Sequence, residues 1–302
     1  MKIKKEIVLG ILCGLLVTCI WSGWTVFSRF GVKSTLNSFD ITAIRFAVAG
    51  TVMLPVFLRH RFMGLSFKQV CLMAIGTGAP YSLIAVSGMH FAPAAHAALF
   101  INGTLSVFTM LVAYLWLKQR AQLSQIQGTF LIIAGCTAIV WEGLHHNITG
   151  QWMGHLLFLC GSFILSSYLV ASSNWGITGR QAMTIGPVTS LLVYVPLWFF
   201  FGETHIWELP PTELLFHGVY QGIIVSLISL WLFTKAATFL GATTTAVFMA
   251  AVPTVSLLMS MPVLGEYPTL MNIAGVVITT LGILIASGLG LFWFQRIKLM
   301  VH

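Results

Sequence analysis

Apolar residues in this chain run in long unbroken blocks separated by short polar gaps. The blocks cover residues 7–30, 39–58, 69–89, 93–117, 126–141, 152–171, 183–201, 214–237, 242–264 and 271–294. Most approach the roughly twenty residues a helix needs to cross a hydrocarbon core. None alternates with the two-residue period of a lipid-facing strand, so helices are the expected spanners. The pattern predicts an all-α polytopic membrane protein of ten transmembrane helices. The widest gap, near 202–213, is too short to fold as a soluble domain.

Composition agrees with the pattern. Of 302 residues, 58% are hydrophobic and 7% charged, against roughly a quarter charged in a soluble domain. The start Met1-Lys2-Ile3-Lys4-Lys5 imitates a signal peptide, but the apolar run is too long and no small-residue cleavage site follows, so it reads as a retained first helix. Cys13, Cys19, Cys71, Cys136 and Cys160 all fall in apolar stretches without a C-x-x-C pair, which suits small buried side chains.

Charge sets the expected orientation. With the N-terminus in the cytoplasm, twelve of the fifteen bases fall on the inner side and only Arg29, Lys33 and Arg45 toward the outer. The acids run the other way, with Glu6 inside and Asp40, Glu142, Glu203, Glu208, Glu213 and Glu266 outside. Both termini are thus expected in the cytoplasm, which ten spans allow. The formal net charge of +8 is explained by topology. No basic run with interleaved aromatics points to nucleic acid.

The chain also repeats itself. Leu123-Ser-Gln-Ile-Gln-Gly128 resembles Leu270-Met-Asn-Ile-Ala-Gly275, and Gly135 answers Gly282, both at an offset of 147 residues. Five helices separate the copies, and an odd number inverts the second relative to the first. Lys118 and Arg120 inside in one copy, and Glu266 outside in the other, fit that inversion. Two inverted five-helix repeats, 1–148 and 149–302, are expected. Such repeats mark secondary transporters, with the substrate site near the midplane between them.

Leu240-Gly-Ala-Thr-Thr-Thr-Ala-Val-Phe-Met-Ala-Ala-Val-Pro253, Leu264-Gly-Glu266-Tyr-Pro268 and Ala274-Gly275 with Leu281-Gly282 resemble the second repeat of the drug/metabolite transporter superfamily, EamA type. Gly78-Ala-Pro-Tyr81, Phe91-Ala-Pro93-Ala-Ala-His96, Trp21-Ser-Gly-Trp24 and Arg45-Phe46 resemble its first repeat. The resemblance covers essentially the whole chain and implies export of amino acids or other metabolites across a bacterial inner membrane. Two departures stand out: Asn102 and Ser106 where the family commonly has Pro, and Lys118-Gln119 where it has Gly-Glu.

Candidate chemistry follows from depth. Trp21, Trp24, Tyr81, Tyr168 and Trp231 are expected to line a cavity, although Trp and Tyr also serve as interfacial anchors. Asn102 lies deep in a span and needs a partner, either another helix or a ligand. Arg45 is a charge inside the second block. It is read either as functional or as an anchor that snorkels outward or pairs with Asp40. His96 is a candidate proton carrier or a satisfied packing group. No Asp or Glu sits at mid-span, which favours facilitated diffusion or exchange over a carboxylate relay. Few charges favour small amphipathic metabolites over sugar phosphates. No H-E-x-x-H or G-x4-G-K-[ST] sequence occurs, so no metal, cofactor or ATP site is expected. An integral-membrane enzyme or a small-molecule sensor is the rival reading. The expected partners are a small-molecule substrate and the lipid bilayer, with the protein a monomer or homodimer.

Overall fold

The structure is a computed structural model that describes residues 2–145 and 149–288, apart from the side chains of residues 2–4, 242 and 243. Asn147-Ile-Thr149, which matches a glycosylation sequon, His146, and the end of the tenth apolar block with Trp293, Arg296 and Lys298 fall wholly or partly outside the described residues. Among the described residues ten apolar helices follow one another. They are α1 (Lys2–Lys33), α2 (Ser38–His60), α3 (Phe67–Phe91), α4 (Ala94–Leu117), α5 (Leu123–His145), α6 (Gln151–Asn174), α7 (Gly179–Phe201), α8 (Pro211–Leu240), α9 (Ala242–Ala250 with Val252–Leu264) and α10 (Leu270–Ala286). Among the described residues the first nine are long and apolar enough to cross a bilayer, and α10 is a shorter apolar helix. Several starts are written in the sequence. Asn37 with Asp40, Ser66 with Gln69 and Thr178 with Gln181 form reciprocal caps that satisfy the first free N–H groups of α2, α3 and α7.

Packing has a pseudo-twofold pattern. Helix α1 packs on α8 and α9, just as α6 packs on α3 and α4, while α2 pairs with α7 and α5 with α10. The repeated glycines carry the last pair. A Cβ on Gly128 would strike the Gly282 carbonyl, and one on Gly135 would strike that of Gly275. Each glycine of one copy thus meets the counterpart of the other's partner, the reciprocity an isologous contact requires. Small residues let the two backbones approach closely, as membrane helix pairs need. Gly282 and Ala286, one turn apart on α10, therefore pack within the chain.

Two spans are irregular at mid-depth. In α3 the helix breaks at Thr77-Gly78 and restarts with Pro80 in its first turn. The freed Ala79 N–H donates to Ser190 Oγ of α7 at 2.9 Å. In α8, Gly218–Ile228 winds as a π-helix. Broken backbone is tolerated at this depth where protein or a cavity surrounds it, and π segments recur at functional sites.

Candidate functional site

A cavity of about 780 Å³ lies among α1, α2, α3, α4, α6 and α8. That size suits a small-molecule site. It runs from mid-depth to Arg120 and Gln122 in the exposed loop after α4 and to Ser287 after α10. The bases Lys118, Arg120, Arg180 and Lys235 share this end by helix parity, so it is the basic face of the bundle.

Trp21, Trp24, Tyr81, Asn102 and Tyr168 line this one cavity. Trp231 is not among the lining residues. It is half exposed, with the Lys235 ammonium 5.8 Å from its ring centroid, and its neighbours Ser229, Leu230 and Phe233 take the wall instead. The reason is helical phase: position 231 lies about 100° from 230 and 200° from 229 around the axis. Trp24 stacks with Tyr81, centroids 6.3 Å apart, and Trp21 stacks with Phe233 at 5.5 Å. The Trp21 indole N–H donates to Ser229 Oγ at 2.9 Å. The Asn102 amide nitrogen donates to Ala98 O, one turn back on its own helix, at 2.9 Å. Because a carbonyl can accept only from the NH₂ group, Oδ1 is the atom left for a ligand.

Arg45 also lines the cavity. It neither snorkels to the far face nor pairs with Asp40, whose carboxylate instead accepts from the Trp198 indole at 3.0 Å and the His205 N–H at 3.2 Å. Arg45 Nε donates to Ser226 Oγ at 2.9 Å, and Ser226 in turn donates to Gln221 O at 2.8 Å, five residues back in the π segment. The guanidinium carbon lies 5.6 Å from the Trp24 ring centroid. Arg45 Nη1 and Trp24 Nε1 are both buried without an acceptor.

At the opposite, acidic face a cluster of ion pairs joins helix ends. Glu266 Oε1 accepts from Arg29 Nε at 2.9 Å and Lys33 Nζ at 3.0 Å, while Oε2 accepts from Ala94 N at 3.1 Å. Arg29 Nη1 donates onward to the carbonyls of Met89 and His90. One cluster thereby ties α1 to the end of α3, the start of α4 and the α9–α10 loop. Burial pushes the Glu266 carboxyl up, but the Arg29, Lys33 and Ala94 donors outweigh it and hold the pKa below the ordinary value. On the same helix as Asn102, His96 is no lone packing group. Its Nε2 meets Asn272 Oδ1 at 3.0 Å and its Nδ1 meets His155 Nε2 at 3.1 Å. If Asn272 Oδ1 accepts, His96 donates from Nε2 and accepts at Nδ1, so His155 carries its proton on Nε2. His155 Nδ1 is buried without a partner.

In the sequence Arg29 stands out only as a loop charge and Glu266 as a loop charge within Leu264-Gly-Glu266-Tyr-Pro268, while nothing marks His155 or Ser226. The Gly-Glu-Tyr-Pro signature was the available signal for Glu266. His155 and Ser226 carry no local mark, since their roles arise from helices brought together from elsewhere in the chain.

The comparisons with known proteins agree with this architecture. The model of the EamA-like transporter family matches residues 8–141 and 152–288. An "Uncharacterized transporter" of Archaeoglobus fulgidus is 22% identical over 279 residues, spanning 90% of this chain and 95% of that protein. A solved structure described as "Crystal structure of protein" covers 93% of this chain and 96% of its own with a TM-score of 0.62; at 16% identity it supports the fold alone.

Proposed function

Because the chain belongs to the EamA-like transporter family, it is a multi-pass membrane transporter, and we propose that it exports amino acids or similar small amphipathic metabolites by alternating access. The family points to transport rather than catalysis. One observation carries the finer reading: a cavity of about 780 Å³ reaches the basic face while the Arg29–Glu266–Lys33 cluster closes the acidic one. A carrier caught open to one side has this shape, and the reciprocal glycine contacts supply a symmetric frame on which the two repeats, 1–148 and 149–302, exchange conformations. Positive-inside bias supports a cytoplasmic basic face, and this reading assigns the bilayer as the inner membrane. Trp21, Trp24, Tyr81, Asn102 and Tyr168 form the substrate site, with rings against the apolar part and the Asn102 carbonyl toward a donor.

Efflux from cells tests this reading. Cells preloaded with a labelled amino-acid panel and producing the protein should release at least one member faster than cells producing Ser106→Trp, which puts an indole into the cavity. Equal release across the panel, with both proteins in the membrane, would overturn it.

A further inference from the structure

The cavity contains an excess of donors. Among the described residues its charged lining residues are Arg45 at depth and Arg120 at the mouth, and no Asp or Glu lines it. Burying a guanidinium without a carboxylate is costly, and such a charge inside a membrane marks a functional site by default. Arg45 finds one acceptor, Ser226 Oγ, and rests near the face of Trp24. Its Nη1 remains unsatisfied, and so does the Trp24 indole N–H on the neighbouring helix. Two buried donors with no acceptor, on or beside one half-buried positive charge, are complementary to an anionic acceptor. A single guanidinium edge matches the two oxygens of a carboxylate, whereas a phosphate dianion would call for further cations.

We propose that Arg45, with the Trp24 indole N–H beside it, is a carboxylate-binding subsite, and that the substrate is an organic acid with an apolar or aromatic body. The proposal rests on reading this cavity as the substrate site and narrows its chemistry. The Trp24–Tyr81 stack and Tyr168 offer ring faces to the body of the acid. Among the described residues no carboxylate lines the cavity to hold an ammonium, and the Trp24 face that would attract one already lies against Arg45. The ammonium of an amino acid is left with neutral acceptors such as Asn102 Oδ1, so the carboxylate is the charged group recognised.

Equilibrium dialysis of the purified full chain with 3-phenylpropionate, its neutral amide and phenylalanine tests this. The acid should bind at least tenfold more tightly than the amide, and no more weakly than phenylalanine. Arg45→Gln should abolish the preference for acid over amide. Arg45→Lys, which keeps the charge without the planar fork, should keep the preference but bind the acid several-fold more weakly. Acid and amide binding alike to the parent protein would overturn the proposal. So would an unchanged acid preference in Arg45→Gln, undiminished acid affinity in Arg45→Lys, no binding of the acid, or phenylalanine binding tenfold more tightly than the acid. Ser106→Trp separates the two levels of inference. If it leaves acid binding intact, the cavity is not the site; if it abolishes binding while the Arg45 variants discriminate as the parent does, only the carboxylate subsite falls.

Discussion

Neutralising Glu266 should loosen the acidic face without disturbing the basic one. Its carboxylate joins a guanidinium that is 11% exposed, an ammonium that is 45% exposed and the Ala94 N–H. The pair with Lys33, half in solvent, contributes little. The pair with Arg29 is nearly buried, and a hydrogen bond to a charged group there is worth about 1.5–3 kcal/mol. Glu266→Gln keeps one carbonyl acceptor, so the net loss lies near the lower end, about 1.5 kcal/mol, or roughly tenfold in the ratio of closed to open states. The probe is Ser106→Cys in a background lacking the five native cysteines, labelled by a membrane-impermeant thiol reagent from either side of oriented vesicles. Labelling from the acidic side should be slow in the parent and about tenfold faster with Glu266→Gln. Acid should mimic the substitution. A carboxyl whose pKa is depressed in the folded protein stabilises above its ordinary value near 4.5, and that contribution is lost as pH falls through the lower folded value. Closure should thus be insensitive to pH above about 4.5 and weaken below it, and Glu266→Gln should lack this dependence. A lower melting temperature with unchanged labelling from the acidic side would refute the argument and make the cluster a fold staple.

Gly282→Leu should lower the melting temperature by the equivalent of about 1–3 kcal/mol, because even a Cβ there would come within 2.8 Å of Gly128 O; a melting point equal to the parent's would contradict the α5–α10 packing. Asn102→Leu should weaken substrate binding about tenfold at near-parental stability, since the amide bonds only its own helix among the described contacts. A strong loss of stability with unchanged transport would make Asn102 structural. Flux in liposomes should persist without a pH gradient, because no carboxylate lines the cavity among the described residues. Uphill accumulation driven by a proton gradient and abolished by His96→Ala would reassign the His96–His155 pair as a proton carrier.

The spans were legible because lipid imposes one simple demand: twenty apolar residues with every backbone group satisfied internally. The paired glycines were visible as well, and Gly128, Gly135, Gly275 and Gly282 sit at a backbone approach that larger residues would block. Side-chain facing was only partly legible. Trp21, Trp24, Tyr81, Asn102 and Tyr168 converge on one cavity as depth suggested, but Trp231 points away from it, because depth says nothing about helical phase. Arg45 was visible as an anomaly, whereas its partner Ser226 depends on an eleven-residue π segment with no local signal. The Arg29–Glu266 pair spans 237 residues and needed the bundle to bring it together.

Counterflow in liposomes holding only the purified chain tests the central claim most directly. With unlabelled substrate inside, uptake of trace labelled substrate should overshoot its equilibrium level, as a carrier that exposes one site alternately to each face requires, and Ser106→Trp should abolish the overshoot. Simple equilibration at a rate indifferent to internal substrate would mean a channel, and flux no greater than in protein-free liposomes would mean that the chain does not carry the solute.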